Sequence, residues 1–329
     1  MKAVKYTKYG APSVLSLVDI KKPQPKDNEI LVEIYATTVT SGDVRLRSSD
    51  FPPVAWLIAR LLFGVLKPKK EILGHEFSGI VEAVGKEVTK YKVGDEVVGT
   101  PTMLPTGSYT EYLCIPEDWK KGVLALKPKN LSFNEGAALP VGGMTALFLL
   151  KKARLSKGQQ VLIYGASGSV GSHAIQIAKA LGATVTAVCS SANFDMVKSL
   201  GADSAVDYKQ QDYSLLEQKF DIVFDAVGKT SKAIAGKVLK KGGRFASVAA
   251  LTSPAQEHLD ELCQMADEGR IKPFVDKTFP LSGIVEAHEY VDSGRKRGNV
   301  VVEVVKSSKK EPVPVKHKSG LRLSPAQAL

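Results

Sequence analysis

The segment from Gln160 to Lys179, QVLIYGASGSVGSHAIQIAK, constrains the fold of this chain more than any other stretch. It begins with the apolar and aromatic run 161–164, which is typical of a buried strand, and continues through small residues at 165–169. From Val170 the apolar residues recur with helical spacing, and Thr184–Val188 is again β-prone. The pattern therefore predicts a strand–helix–strand unit, from which doubly wound parallel sheets are built.

The glycines of the turn indicate what the unit binds. Gly165, Gly168 and Gly171 have the spacing GxxGxxG, and the helix that follows would present free N–H groups and a positive dipole end to a phosphate. A side chain at Gly168 would hold the backbone away from a pyrophosphate, and Gly171 lets helix and strand approach. The pattern alone also fits an ordinary tight turn, but the strand–helix–strand context favours a dinucleotide. We expect the cofactor to contact Gly165, Ala166, Ser167, Gly168, Ser169, Val170 and Gly171.

The residues after the second strand indicate which dinucleotide is bound. An acidic residue there would bind the ribose 2′-hydroxyl of NAD. This chain has Ser190, Ser191 and Asn193 instead, and the first carboxylate is Asp195. Because small polar groups can surround a 2′-phosphate that a carboxylate would repel, we expect NADPH (NADP). Ser191 or Asn193 could also cap the next helix, and the two roles are compatible.

The run GQQVLIYGASGSVGSHAIQIAK resembles the signature of the zinc-free quinone oxidoreductase (zeta-crystallin) branch of the medium-chain dehydrogenases. It departs at Ser169, where that family usually has glycine. The similarity continues through GHEFSGIVEAVG, YKVGDEVVG and LPVGGMTAL, over roughly residues 1–305. It implies a GroES-like catalytic domain and cofactor contacts at the residues that match Thr145, Tyr208, Val227 and Gly228. Tyr208 could equally be an ordinary surface tyrosine.

The predicted fold class is α/β, with a GroES-like partly open β-barrel domain and a Rossmann domain that holds a doubly wound parallel sheet. Short β-prone runs punctuated by glycine and proline assign residues 1–125, completed by 279–305, to the barrel. Alternating strands and helices, with one helix expected over 230–240, assign residues 126–278 to the NADP-binding domain. Residues 306–329 are expected to form a disordered basic tail.

An amphipathic helix is expected between Asp50 and Lys70, because apolar residues from Val54 to Val65 recur at helical spacing. It would either lie on the barrel or form an apolar lid or partner contact. Its apolar character favours a small hydrophobic substrate.

Charge and composition bound the partners and the compartment. The 329 residues have a formal net charge of +11, concentrated partly in the tail, which lacks the interleaved aromatic residues of a nucleic-acid site. Nucleic acid is therefore an unlikely partner. No apolar run reaches membrane-spanning length and no signal peptide is expected, so we expect no membrane partner. Three widely separated cysteines suit a reducing cytosol, and a cytoplasmic location is expected.

The chain keeps only part of the zinc site found in related alcohol dehydrogenases. Gly74–His75–Glu76 supplies the histidine of their GHE motif, whereas Thr40 and Ala137 stand near the other two ligand positions. One histidine does not make a three-ligand site, so no metal is predicted.

The catalytic candidates are Thr40, Asp43 and His75. His75 could instead be a hydrogen-bonded structural residue, and Asp43 could pair with Arg45 or Arg47.

These features predict a zinc-independent, NADPH-dependent oxidoreductase that transfers hydride to quinones or α,β-unsaturated carbonyls. Without a Lewis acid, reducing an activated acceptor is easier than oxidising an alcohol. A non-enzymatic NADPH-binding or scaffold protein and an alcohol dehydrogenase-like enzyme remain alternatives. The chain is shorter than the family pattern after Ala249, where members carry an edge strand used in dimer pairing. A homodimer is therefore possible but in doubt.

Overall fold

The computed structural model describes residues 1–51, 53–250, 252 and 255–304, with residues 53–55 described as helical backbone only. The basic tail predicted over 306–329 lies outside the described residues.

Within this part of the chain, the strands form three sheets, of which the smallest is the antiparallel pair of the first two strands. The strands are β1 (Lys2–Lys5), β2 (Ser16–Asp19), β3 (Glu29–Thr38), β4 (Phe77–Val84), β5 (Glu96–Thr100), β6 (Tyr112–Pro116), β7 (Val123–Leu126), β8 (Gln160–Tyr164), β9 (Thr184–Cys189), β10 (Ser204–Asp207), β11 (Phe220–Asp225), β12 (Leu239–Ser247), β13 (Val275–Pro280) and β14 (Asn299–Glu303). The helices are α1 (Ser41–Ser48), α2 (Pro53–Phe63), α3 (Phe133–Ala137), α4 (Pro140–Lys152), α5 (Ser169–Ala180), α6 (Phe194–Ser199), α7 (Lys232–Gly236), α8 (Gln256–Asp267) and α9 (Ile284–Asp292).

The first lobe is built on a seven-stranded sheet in the order β13-β14-β3-β4-β5-β7, with β6 also paired to β3. Strand β3 is its centre and pairs antiparallel with β4, β6 and β14. Ile30, Val32 and Ile34 alternate along β3 and are fully buried in one apolar core, as expected for a strand with one covered face. The chain returns to this sheet after the second lobe, so both ends of the described chain shape one domain.

The second lobe contains a parallel sheet in the order β10-β9-β8-β11-β12. This order reverses next to β8, which creates the crevice where ligands bind in such sheets. Helices α4 and α5 cover the sheet through an apolar core that includes Ile163, Ala174 and Leu147. The predicted α/β class, with a barrel lobe and a doubly wound parallel sheet, is confirmed.

Local predictions had mixed success. A capping box of Ser132 and Glu135 begins α3. The helix expected over 230–240 is wrong in length, because α7 covers only Lys232–Gly236 and β12 begins at Leu239. Pairing with β11 holds that segment in the sheet, so long-range hydrogen bonding overrides local helical preference.

Helix α2 exists as predicted, but its apolar face does not pack on the barrel. Leu57, Ile58, Leu61 and Leu62 are each 58–63% exposed, while Ala59 is buried. In the described chain, no helix is both long and apolar enough to cross a membrane.

Candidate functional site

The N-terminus of α5 forms an open cradle at the crevice. Gly168 precedes the helix in extended backbone (φ −81°, ψ 178°) and no side chain caps the helix start. A Cβ atom at Gly168 would meet only the Gly165 carbonyl oxygen, at 3.6 Å, so the space above the turn is open. The first N–H groups of a helix lack intrahelical acceptors, and here they face a space that a phosphate can fill.

The two flanking glycines are required by packing. A Cβ atom at Gly171 would lie 2.3 Å from the Gly165 carbonyl oxygen, so only glycine lets α5 pack so close to β8. Gly165 has φ +77°, and its Cβ would lie 2.6 Å from the Val227 side chain. Packing therefore explains why Gly165 and Gly171 are glycines, whereas the space at Gly168 is open to a ligand.

The cradle is tied to both neighbours across the crevice. The Ser169 hydroxyl donates to Asn299 Oδ1 of β14 at 2.6 Å, and the Gly298 N–H donates to the Ser167 carbonyl at 2.7 Å. A Cβ atom at Gly142 of α4 would lie 2.4 Å from Ser169 Oγ. Ser169, which replaces the usual glycine, thus anchors the cofactor turn to the barrel lobe. Thr145 lies half-buried on α4, one turn further along.

The adenosine end of the crevice carries the predicted small polar residues. Ser190, Ser191 and Asn193 follow β9, and Asn193 Nδ2 donates to Ser167 Oγ at 3.1 Å and to Ser190 Oγ at 3.4 Å. Neither Ser191 nor Asn193 makes a side-chain cap at the start of α6. Asn193 therefore occupies the N-cap position that the alternative expected, but it makes no capping hydrogen bond because its amide bonds to Ser167 instead.

The next strand ends at Asp207, which sequence reasoning missed, and the predicted Tyr208 follows it. Asp207 ends β10 directly beside Cys189, and hydrogen bonds from Lys209 and Ser191 hold its pKa below the ordinary value. Tyr208 is 52% exposed and lines a cavity of about 330 Å³. The cavity wall also includes Tyr164, Lys209, Tyr213, Lys229 and Thr230. The two lysines supply the positive charge that was absent from the serine-rich loop.

Asp225 at the end of β11 organises the loop that holds Val227 and Gly228. Its Oδ1 accepts from the Val227 and Gly228 N–H groups at 3.1 and 2.9 Å, and its Oδ2 accepts from Ser247 Oγ at 2.9 Å. Gly228 has φ +71°, a conformation that favours glycine. The buried carboxylate therefore fixes both residues at the crevice edge.

Thr40, Asp43 and His75, the catalytic candidates, form one hydrogen-bonded cluster in the barrel lobe. Asp43 is fully buried; its Oδ1 pairs with His75 Nδ1 at 2.7 Å, and its Oδ2 accepts from the Thr40 N–H and hydroxyl at 2.9 and 2.6 Å. Burial opposes ionisation, but His75 and these hydrogen bonds hold the pKa of Asp43 below its usual range. His75 keeps 28% of its side chain exposed.

The expected pairing of Asp43 with Arg45 or Arg47 is wrong. Arg47 instead pairs with Asp292 at 2.8 Å, and the Gly74 N–H donates to Asp43 Oδ1 at 2.8 Å. The Asp43 carboxylate is therefore committed to orienting the His75 ring.

A second buried carboxylate joins the two lobes. The Glu76 side chain accepts from Thr38 Oγ1 and, at 2.7 Å, from the Val141 N–H at the start of α4. Burial raises the pKa of Glu76 to about 7. Lys296 donates to the Gly298 carbonyl at 3.0 Å, and burial lowers its pKa to about 8 against the opposing charges of Glu76 and Asp276.

The donor set does not fit a catalytic zinc. His75 Nδ1 is engaged with Asp43, while Thr40 hydrogen-bonds to Asp43 and Ala137 has no donor atom. Across the described ranges, no group of three or more His, Cys, Asp or Glu side chains is placed to hold a metal ion. The cradle at α5, by contrast, fits the pyrophosphate of a dinucleotide.

Comparison with known proteins agrees with this architecture. The family model described as "Alcohol dehydrogenase GroES-like domain" matches residues 26–128, and "Zinc-binding dehydrogenase" matches residues 169–275. The 2-methylene-furan-3-one reductase of Solanum lycopersicum is 35% identical, over 93% of this chain and 79% of its own length. The NADPH-dependent alkenal/one oxidoreductase of Arabidopsis thaliana is 33% identical, over 92% and 79%.

Among solved structures, the quinone oxidoreductase from Coxiella burnetii superposes with a TM-score of 0.77 at 29% identity, covering 93% of this chain and 99% of that one. The chain belongs to the quinone oxidoreductase branch of the medium-chain dehydrogenase/reductase superfamily.

Proposed function

We propose that this protein is an NADPH-dependent oxidoreductase that transfers hydride to a quinone or an α,β-unsaturated carbonyl. The observation that carries the proposal is the uncapped start of α5, which opens at Gly168 between the two lobes. The names of two relatives, an alkenal/one oxidoreductase that depends on NADPH and a furanone reductase, support the same acceptor class.

The predicted preference for NADPH has support at the adenosine end. Ser190, Ser191 and Asn193 present small polar groups there, and Lys209 and Lys229 line the adjoining cavity. These two cations can balance the charge of a 2′-phosphate. The nearby carboxylate of Asp207 is already engaged, because it accepts a hydrogen bond from the Lys209 backbone N–H. We propose that Tyr208 packs against the adenosine moiety in this cavity.

Bound NADPH would supply a hydride at the nicotinamide ring. The protein must orient that ring, exclude water and donate hydrogen bonds to the oxyanion that develops on the acceptor. His75 is the proposed donor, and Glu76, the residue after it, accepts from the Val141 N–H at the start of α4. Thr40 gives its single hydroxyl proton to Asp43 Oδ2, so its proposed role is to hold Asp43 in place. Val227, Gly228 and Thr145 are proposed to border the ring.

Asp43 fits the role of a positioning residue. Its bond to Nδ1 leaves Nε2 as the His75 nitrogen that can reach a substrate. In the proposed reaction His75 donates a proton from Nε2 to the enolate or phenolate oxygen while Nδ1 stays bonded to Asp43.

The test is oxidation of NADPH followed at its absorbance band, with a panel of quinones and enones. A titration with NADPH and NADH on the same sample establishes binding and preference. Turnover of at least one acceptor class, with tighter NADPH binding, is expected. Binding of NADPH without oxidation by every acceptor in the panel rejects the proposed activity.

The shortened connection favours a second candidate, a non-enzymatic NADPH-binding protein. Only residues 248–255 join β12 to α8.

Strand β12 is an edge strand of the described parallel sheet and carries the cations Lys240, Lys241 and Arg244. Because charged side chains discourage edge pairing, we propose that a homodimer through this strand does not form. The acceptor panel separates the two candidates.

A cytoplasmic location is also part of the proposal. Cys114, Cys189 and Cys263 are free thiols, as a reducing compartment allows. Cell fractionation tests this directly.

A further inference from the structure

Helix α2 and the turn that follows it display a contiguous apolar surface. Its members are large apolar side chains that are between 41% and 91% exposed: Trp56, Leu57, Ile58, Leu61, Leu62, Phe63, Val65 and Leu66. Single exposed apolar residues are ordinary, but a contiguous group of this kind marks an interaction site. We call this group the α2 surface.

Hydrogen bonds and a cation–π contact fix α2 and the turn after it to the rest of the protein. The Tyr9 hydroxyl donates to the carbonyls of Phe63 and Gly64 at 3.0 and 2.9 Å. The Arg60 guanidinium lies 4.1 Å from the Tyr9 ring centre and donates to Ser49 Oγ at 3.2 Å. Arg60 also lies 5.4 Å from the Trp56 ring centre, so Trp56 flanks the supported side of the helix. The four strongly exposed residues of the helix, Leu57, Ile58, Leu61 and Leu62, are presented outward on this fixed support.

The charges around the α2 surface are predominantly positive. Between Arg45 and Lys70 the sequence has six basic side chains and one acidic side chain, Asp50, and of the six Arg47 is buried and paired with Asp292. Lys67 and Lys69 are exposed in the turn directly after the helix. A second copy of this chain would bring these cations together, which disfavours self-association. A partner that is apolar below an anionic surface complements both properties.

We propose that the α2 surface docks on an anionic lipid surface, with the helix lying in the headgroup region. An 11-residue helix is about 16 Å long, too short to span a bilayer but sufficient to lie on one. The sequence-based expectation of no membrane partner was drawn from spanning length, which an interfacial helix does not need. This binding is separate from the proposed oxidoreductase activity.

Vesicle flotation with the full chain tests the proposal. The probes are phosphatidylcholine vesicles with and without phosphatidylglycerol. The test variant is L57S/L61S, and the control is V93S/L126S, whose side chains are similarly exposed but lie outside α2. We expect the wild type and control to float with anionic vesicles only, and the test variant to bind about tenfold or more weakly. High salt should release all three proteins.

Trp56 supplies an independent readout. Trp119 is the second of the two tryptophans, so a Trp119→Phe background leaves Trp56 as the reporter. Its emission should shift to the blue, and brominated lipids should quench it, when anionic vesicles are added.

Three results overturn the proposal: no binding to anionic vesicles, equal binding of L57S/L61S, or bound protein with unchanged Trp56 emission. A dimer in sedimentation that L57S/L61S dissolves, without lipid binding, assigns the surface to a second copy instead.

Discussion

Replacing Gly168 with valine separates cofactor binding from folding. The backbone at Gly168 is extended, and an added Cβ meets only the Gly165 carbonyl oxygen, at 3.6 Å. The variant should therefore fold, with a free energy of unfolding within about 0.5 kcal/mol of the wild type. In the proposed complex, however, the side chain occupies the space through which the pyrophosphate reaches the α5 N–H groups.

The magnitude follows from the hydrogen bonds that are lost. A hydrogen bond to a charged group is worth about 1.5–3 kcal/mol, so losing one should weaken NADPH binding about 10- to 100-fold. Calorimetric titration with NADPH and thermal unfolding of the same samples measure both effects. Gly236→Ala is the matched control, since its Cβ also meets open space but lies in α7.

Unchanged NADPH affinity in Gly168→Val would refute the reasoning, because the pyrophosphate would then lie elsewhere. A large loss of stability would contradict the open space described above Gly168.

Four further substitutions test buried and half-buried polar groups. Asp43→Asn should lower kcat about 10- to 100-fold with little change in NADPH affinity, since His75 loses its orienting carboxylate; His75→Gln should do the same, and the double variant no more. His173→Leu should stabilise the fold, because burial lowers the pKa of His173 to about 4 and its Nε2 has no partner in the described chain. The gain in its free energy of unfolding should be about 2 kcal/mol larger at pH 5 than at pH 8, because the neutral wild-type imidazole loses stability as pH falls below about 6.5. Because burial raises the pKa of Glu76 in the folded protein, the wild type should lose about 3 kcal/mol of stability as pH rises from about 4.5 to about 7. Glu76→Gln should not show this loss.

Each has a clear contrary result. Additive losses in the Asp43 and His75 variants would mean that the two side chains act independently. A pH-independent difference between His173→Leu and the wild type, or a slope that persists in Glu76→Gln, would contradict the assigned titrations. Chemical unfolding at several pH values measures both, and the comparison is made as variant minus wild type because His173 and Glu76 act in opposite directions.

The fold was largely predictable because its strongest signals are local. The run from Gln160 to Lys179 specifies β8, the turn and α5 by apolar spacing and glycine alone. The Thr40–Asp43 capping box that begins α1 was also readable, as serine and threonine followed by an acid three residues later mark a helix start. Asp43 thus serves as the N3 residue of this capping box rather than as a partner of the nearby arginines.

The remaining site features depend on contacts between distant segments. Asp207 comes to lie beside Cys189 at the end of β9 from the neighbouring strand β10, and Asn299 of the barrel lobe accepts from Ser169 at the start of α5. Spacing within one segment contains no information about such pairs. For α2, periodicity identified the residues that share a face, but not that this face is exposed.

Transfer of deuterium from NADPH labelled at the nicotinamide C4 position tests the central claim most directly. The reaction is run with an enone on protein treated with a metal chelator, and the product is analysed by mass spectrometry. The account predicts one deuterium at the β-carbon, with a rate that the chelator leaves unchanged. Product without deuterium at that carbon, or activity that disappears with the chelator and returns with zinc, would contradict it.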